Sequence, residues 1–553
     1  MLYKKRAKKC KCMSQKRHNF AAENHHVNSF CPVGQFMKTM KNTLITLLAS
    51  LATVPAAWGV ELPDILGDNA VLQQQTQARL WGWAKAGNYV QVTTGWDHRQ
   101  YVAQAGNDGR WTLQVTTPKA GFNAYSIVYD EYDARPQADT SAVPVDTKTV
   151  DNVLIGEVWF CSGQSNMEMP LGGFWNCPVE GGNEAIAYAG RYAQSVRVAT
   201  IEKTPAQEPQ TRVRGGWDVA SPANAPRFSA VAWFFATTLT DILQVPVGVI
   251  NCSWGGSCVE GWMPKEVLLT YPDGLTPIDD TDYHAKMVMY NGMLAPLAGY
   301  TVKGFLWNQG ESNVGREEEY VERFQTMAQL WRKLWNQPAD ALPFYTVELP
   351  PYRYGDADGT SAADFRAAQH RIARLLPHSG CVCTSDLIYP YELDQIHGAQ
   401  KQPIGQRMAY MALTRDYGIQ GIAAEAPELE RWTLVDASPD DIAVIAGSRV
   451  ETPRTNGCIA RLYFTNSIEG FDRMTDIPGF EAQDTQGVWH KAIVWSSSEW
   501  QNVERQGCFL SLACPEADRI CNVRYCYRNF AIGTLHTVRG LPLVPFTTEK
   551  GAS

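Results

Sequence analysis

Downstream of residue 59 the chain holds no Cys-x-x-Cys pair and no His-Glu-x-x-His string, so its motifs do not indicate a metal site. A formal net charge of −8 is mild and not gathered into a tail, which argues against nucleic-acid or anionic-membrane binding. There are no internal repeats and no low-complexity linker. The apolar stretch Leu44 to Val54 is too short to span a bilayer as a permanent helix. Histidine is scarce at ten residues, which makes each one worth weighing.

What is present indicates a globular, multidomain protein. The 553 residues are too many for one ordinary core, and 45% hydrophobic with 11% aromatic content excludes a disordered chain. The 18 tryptophans have core as their default reading, while aromatic loops also suit the faces of sugars. Residues 37–59 read as a secretory signal: Lys38 and Lys41 supply the basic region, Leu44 to Val54 the apolar one, and Ala56-Ala57-Trp58-Gly59 the small residues for cleavage. Residues 1–36 are Lys-rich and aperiodic, as expected of an early start with Met37 or Met40 the initiator. The mature protein is therefore expected outside the cytoplasm, periplasmic or extracellular. Setting aside Cys10, Cys12 and Cys31 leaves eleven of the fourteen cysteines, an odd number, so at least one thiol is unpaired. Cys508, Cys514, Cys521 and Cys526 cluster near the end, where a bridge and plain burial are equally open readings.

Beyond 1–59, three regions follow. Residues 60–150 alternate with period two in short runs, Tyr89 to Thr94 and Trp111 to Val115, and read as a sandwich-like antiparallel β-domain. Residues 151–416 alternate apolar strands with amphipathic helices, which predicts an α/β domain with a parallel sheet. Its strands are expected at Val153–Cys161, Val245–Ile250, Val302–Trp307, Phe344–Leu349 and Cys381–Thr384. The clearest helix carries Tyr320, Phe324, Met327, Trp331 and Leu334 on one face. Residues 417–553 lose the helical pattern and read as a second β-domain.

Four polar groups each follow an expected strand and so should gather at one sheet edge. Ser165 in Gly163-Gln164-Ser165-Asn166-Met167 follows the first strand, Trp254-Gly255-Gly256 the second and Gln309-Gly310-Glu311 the third; Asp394 and His397 trail the last. A serine hydroxyl needs a base near neutral pH, and His397 is suited to take its proton. Asp394 stands three residues before it; on a helical turn the two share a face, so the acid is expected to orient the ring, with Glu392 its rival. A tetrahedral intermediate needs donors: the amides of Ser165 and Gly256 and the side-chain NH₂ of Gln309, with Asn313 and Asn166 as weaker alternatives. Glu311 reads as scaffolding for its loop.

The strings Gly156-Glu157-Val158-Trp159, Cys161-Ser162-Gly163-Gln164-Ser165-Asn166-Met167-Glu168-Met169-Pro170, Leu306-Trp307-Asn308-Gln309-Gly310-Glu311-Ser312-Asn313 and Lys401-Gln402-Pro403-Ile404-Gly405 resemble the SGNH-type sialate O-acetylesterases and, more distantly, plant-type carbohydrate acetylesterases. The resemblance covers nearly all of residues 60–548. It implies a flavodoxin-like core in which Ser165, Gly256, Gln309 and His397 act without any metal or organic cofactor. The implied substrate is an O-acetylated sugar, sialic acid first. An acetylesterase for xylan or other plant glycans, or a carbohydrate-binding protein with an inactive core, is the alternative. Relatives often carry Asp-Ile-His-Pro at the base, whereas this chain has Asp394-Gln395-Ile396-His397-Gly398, which leaves a Ser–His dyad open beside a triad. Sialic acid is anionic, so a pocket arginine is expected, with Arg353 and Arg366 as candidates.

Overall fold

The computed structural model describes residues 59–137, 142–338, 340–436, 458–472, 477–496 and 509–549. The signal-like residues 37–58 and Cys508 lie outside them.

The apolar run Val153 to Cys161 lies within a strand of 18 residues, β1 (Asp146–Gly163). Its side chains alternate between two cores: Val158 and Phe160 enter one, Trp159 and Cys161 the other. Burial on both faces explains why the run lacks polar alternation. The remaining parallel strands are β2 (Val196–Thr200), β3 (Val247–Ser253), β4 (Gly304–Asn308), β5 (Phe344–Val347) and β6 (Ser379–Val382). They lie side by side in the order β6-β5-β4-β1-β3-β2, every pair parallel, with Trp217–Val219 added antiparallel at the β2 edge. The five strands expected from the sequence thus run 2-1-3-4-5, the flavodoxin-like order, and β2 extends it.

Helices cover both faces. Following the short α1 (Ser165–Glu168) are α2 (Ala230–Leu243), α3 (Glu317–Leu334), α4 (Ser361–Leu375) and α5 (Lys401–Arg415). The apolar face of α3 lies on one side of the sheet, where Phe324 and Trp331 meet Phe305 and Phe344 in edge-on and tilted ring contacts. On the other side α2 and α5 approach so closely that a Cβ on Gly405 would stand 2.6 Å from the Val231 carbonyl oxygen. Helix α2 has no single apolar face to read, because it is buried almost all round. Trp159, Trp233, Trp262, Trp307 and Trp331 are wholly buried, so many of the tryptophans are core.

The expected boundary at 150/151 falls inside β1. The first half of that strand pairs antiparallel with Gly121–Tyr132 and parallel with Val71–Gln73, and its second half pairs with β3 and β4. The N-terminal β region therefore continues into the parallel sheet with no linker between them. The strands at Tyr89–Thr94 and Arg110–Thr116 form as expected. Buried Glu157 ties the junction: its carboxylate accepts from Gln73 at 3.0 Å, Gln74 at 2.5 Å and the Tyr417 hydroxyl at 2.8 Å. Beyond Tyr417 the described residues form two four-stranded antiparallel sheets, including Cys458–Phe464, Ile493–Ser496 and Asn522–Tyr525. Cys514, Cys521 and Cys526 are free thiols.

Candidate active site

Because β1, β3 and β4 are parallel neighbours, their carboxyl ends open at one edge with β1 in the middle. Strand β1 stops at Gly163, where φ is 135° and a Cβ would lie 2.1 Å from the Asn308 carbonyl oxygen, so the turn requires glycine. Ser165 follows, half-buried, as the first residue of α1. The neighbouring Asn166 is buried and ties three loops together. Its amide donates to Glu311 at 2.5 Å and to the Ile396 carbonyl at 3.2 Å, and its oxygen accepts from Lys401 Nζ at 2.6 Å. Residue 166 thus bonds residue 396, which holds the Ser165 turn against the His397 loop, with no hydrogen bond between Ser165 and His397 Nε2.

On the other flank, β3 leads into Trp254-Gly255-Gly256. The Trp254 amide donates to the Gly163 carbonyl at 3.0 Å and the Gly255 amide to Glu168 at 2.6 Å, while Lys203 pairs with the same carboxylate at 2.7 Å. A Cβ on Gly255 would meet Ser165 Cβ at 3.3 Å, so this loop lies against the serine. Gly256 has φ 79° and backs onto the Tyr283 ring. Among the described residues neither the Ser165 N–H nor the Gly256 N–H has a hydrogen-bond partner. Both are available as donors.

Gln309 is placed differently from the expectation. It is completely buried, and its two amide hydrogens donate to the Ser257 carbonyl at 3.0 Å and to Asn313 Oδ1 at 2.8 Å. Reversing the amide would set oxygen against two oxygens, so the orientation is fixed. No side-chain donor is left for an oxyanion. Asn313 is buried and tied in place, donating to Glu260 at 3.1 Å and accepting from the Val259 amide and from Gln309. Both residues brace the loops after β3 and β4. Glu311 is scaffolding: it is held by Asn166, and burial pushes its carboxyl above the usual range.

His397 lies between β6 and α5, with the Phe174 ring edge-on at 5.3 Å. Its Nε2 is buried without a partner among the described residues, and its Nδ1 faces the Cys177 thiol at 3.9 Å. Burial first, and then the Lys401 charge, lower its pKa to about 4, so the ring is neutral at neutral pH. Asp394 is not on the ring. Its side chain is 64% exposed and pairs with Arg353 at 2.8 Å, and no hydrogen bond or ion pair joins it to His397. The spacing argument needed a helix, but the short 3₁₀ turn Pro390–Glu392 ends before Asp394 and the chain to His397 is turn and bend. Glu392 is buried and accepts from the Tyr389 and Ala399 amides at 2.8 and 3.0 Å, which closes the loop that carries the histidine. Of the candidate arginines, Arg353 is the partner of Asp394, and Arg366 is buried, donating to the Arg528 carbonyl. Cys177 gave no sequence signal, being a lone cysteine 220 residues from His397.

The flavodoxin-like strand order and the likenesses that follow identify the chain as a carboxylic ester hydrolase. Residues 155–414 match the family described as carbohydrate esterase, sialic acid-specific acetylesterase. The chain is 28% identical over 429 residues to the sialate O-acetylesterases of Pongo abelii and Homo sapiens, covering 71% of this chain and 78% of each relative. It is similar in structure to a carbohydrate acetylesterase from Xanthomonas citri, with a TM-score of 0.72 and 26% identity. That match covers 89% of this chain and 99% of the other.

The buried imidazole generates a pH prediction. A base lowered to about 4 stays unprotonated until well below neutrality, so the acidic limb of kcat/KM against pH should lie below the ordinary imidazole range, toward pH 4. A limb at or above about 6.5, the unperturbed histidine value, would count against His397 as the base in this environment.

Proposed function

We propose that the chain is an exported carbohydrate O-acetylesterase that removes acetyl groups from sialic acids by a serine acyl-enzyme route. The observation that carries the reading is the pair of amides without a partner among the described residues, that of Ser165 in the turn that Asn166 bonds to the His397 loop and that of Gly256 in the loop lying against it. In the first step Ser165 Oγ attacks the acetyl carbonyl carbon while His397 takes the hydroxyl proton. The two amides receive the charge that develops on the carbonyl oxygen. Collapse returns the proton to the departing sugar hydroxyl, leaving acetyl-Ser165. Water, deprotonated by His397, then releases acetate. The family description and the sialate O-acetylesterase relatives support sialic acid as the sugar.

A second reading, an acetylated neutral glycan, is favoured by the charges at the site's mouth. Lys203 and Arg353 are already engaged by Glu168 and Asp394. Trp175, 90% exposed, adjoins the Phe174 that packs on His397, and offers an aromatic face to a sugar ring. Side-by-side rates on O-acetylated sialic acid and acetyl-xylan decide between the two. Ser165→Ala should fold normally and lose about 10⁴-fold or more on either substrate and on p-nitrophenyl acetate. A folded variant retaining a tenth of the rate would move the nucleophile elsewhere.

The dyad form of the mechanism is the one the Asp394–Arg353 pairing supports. Asp394→Asn should therefore cost less than about tenfold in kcat/KM. A loss near 10⁴-fold, the size seen when a ring-orienting aspartate is lost, would restore the triad. Export rests on residues 37–59. Expression of the full chain should give a periplasmic or secreted protein whose N-terminus begins near residue 60; an intact N-terminus in the cytoplasm would remove that part of the proposal.

A further inference from the structure

Lys401 occupies a place that its chemistry does not favour. It is buried, 2% exposed, and it is the first residue of α5, where the helix dipole opposes a cation. Its hydrogen-bond acceptor among the described residues is the side-chain oxygen of Asn166 at 2.6 Å. A lysine held there must contribute something that outweighs burial and the dipole. Asn166 shows what that is. The same amide that accepts from Lys401 donates to Glu311 and to the Ile396 carbonyl, so the ammonium fixes which way the amide points. With the amide fixed, the Ser165 turn and the His397 loop are held against each other.

We propose that the Lys401 ammonium is the positioning residue of this site: it locks the Asn166 bridge between the Ser165 turn and the His397 loop, and full activity requires it to carry its proton. The proposal rests on the Ser165/His397 reading. It also bears on the electrostatics of the ring, where the Lys401 charge adds to the larger effect of burial. The groups around His397 are the Cys177 thiol at Nδ1, Lys401 on α5, Glu311 behind Asn166, and Glu392 on its own loop; Asp394 points to solvent and Arg353. Lys401 is the cation among them that disfavours the imidazolium. Burial also lowers Lys401 itself, to about 8, against the raising effect of Glu311 and Glu392.

The sign of each limb follows. Lys401 is charged below about 8 and neutral above it, so the bridge loosens as pH rises through that value. A plain Ser–His mechanism has no such basic limb, because its histidine is already neutral.

The experiment compares kcat/KM against pH for wild type, Lys401→Arg and Lys401→Met on p-nitrophenyl acetate, with Ser165→Ala as control. Wild type should fall on the alkaline side near pH 8. Lys401→Arg keeps its charge at every accessible pH and should lose that limb while retaining the acidic one. Lys401→Met should lose about ten- to a hundred-fold through misplacement of the serine and base, and its acidic limb should move up because the neighbouring cation is gone. A Lys401→Met profile that superimposes on wild type overturns the inference, as does a basic limb that survives unmoved in Lys401→Arg. The second criterion holds even if Lys401→Met fails to fold. If Ser165→Ala stays active, the reading of the site falls and this inference with it; if Ser165→Ala is dead and the Lys401 profiles are unmoved, the inference alone falls.

Discussion

The candidate site depends on one side-chain amide. Asn166 takes hydrogen bonds in one direction from α5 and gives them in the other to the loop after β4 and to the loop that carries His397. No other side chain of its size fits those three partners. An aspartate would set oxygen against the Glu311 carboxylate and the Ile396 carbonyl, and a leucine would leave a buried ammonium, a carboxylate and a carbonyl unmet, each at a desolvation cost of about 1–3 kcal/mol or more. The loops it joins come from different parts of the chain, and ordering them separately would cost conformational entropy at every residue. A single buried group with both a donor and an acceptor end fixes them together.

The sheet determines where that amide has to be. Strands β3 and β4 flank β1 in parallel, so their loops leave from the same edge and converge on whatever follows Gly163. Gly163 turns the chain sharply because nothing larger fits against Asn308. Gln164 then accepts from the Gly310 and Ser312 amides, pulling the loop after β4 toward the serine, while Glu168 holds the loop after β3 through Gly255. The serine's neighbours on both sides in sequence therefore do the positioning, which explains why an entire string around it, and not one residue, carries the site.

This bears on what the sequence could disclose. Strands buried on both faces and the one-faced helix α3 were legible, because their apolar patterns arise from the packing they enter. Helix α2 was not, since burial all round erases periodicity, and the boundary at 150 was misplaced because β1 changes partners midway without changing character. In the candidate site, the convergence of the Ser165 turn, the Gly255-Gly256 loop and the His397 loop was legible from their places after strands. Asp394 misled because spacing of three implies proximity only within a helix, and the chain there is a turn. Gln309 misled in another way: its position after β4 was right, but a buried amide satisfies the nearest backbone and side-chain acceptors first, and those turned out to be Ser257 and Asn313. Cys177 and Lys401 were invisible as partners, since only the folded chain places them beside the ring and the amide.

A histidine with no carboxylate behind it works under a different balance from a triad. Burial and a nearby cation keep the ring neutral, so it is ready as a base over a wide pH range. The same two influences make it a weaker base and destabilise the imidazolium that forms when it takes the serine proton. On the proposed mechanism that cost falls in the transition state, together with the charge on the acetyl oxygen. The opposite charges then stabilise each other across a short gap in a low-dielectric site, where such attraction is far stronger than in water. On the same mechanism the two backbone amides that receive the oxygen add to it without reorganising. On that mechanism, what the ring lacks from an aspartate is supplied by the oxyanion itself, which would shift the burden of catalysis from the base to the donors at Ser165 and Gly256.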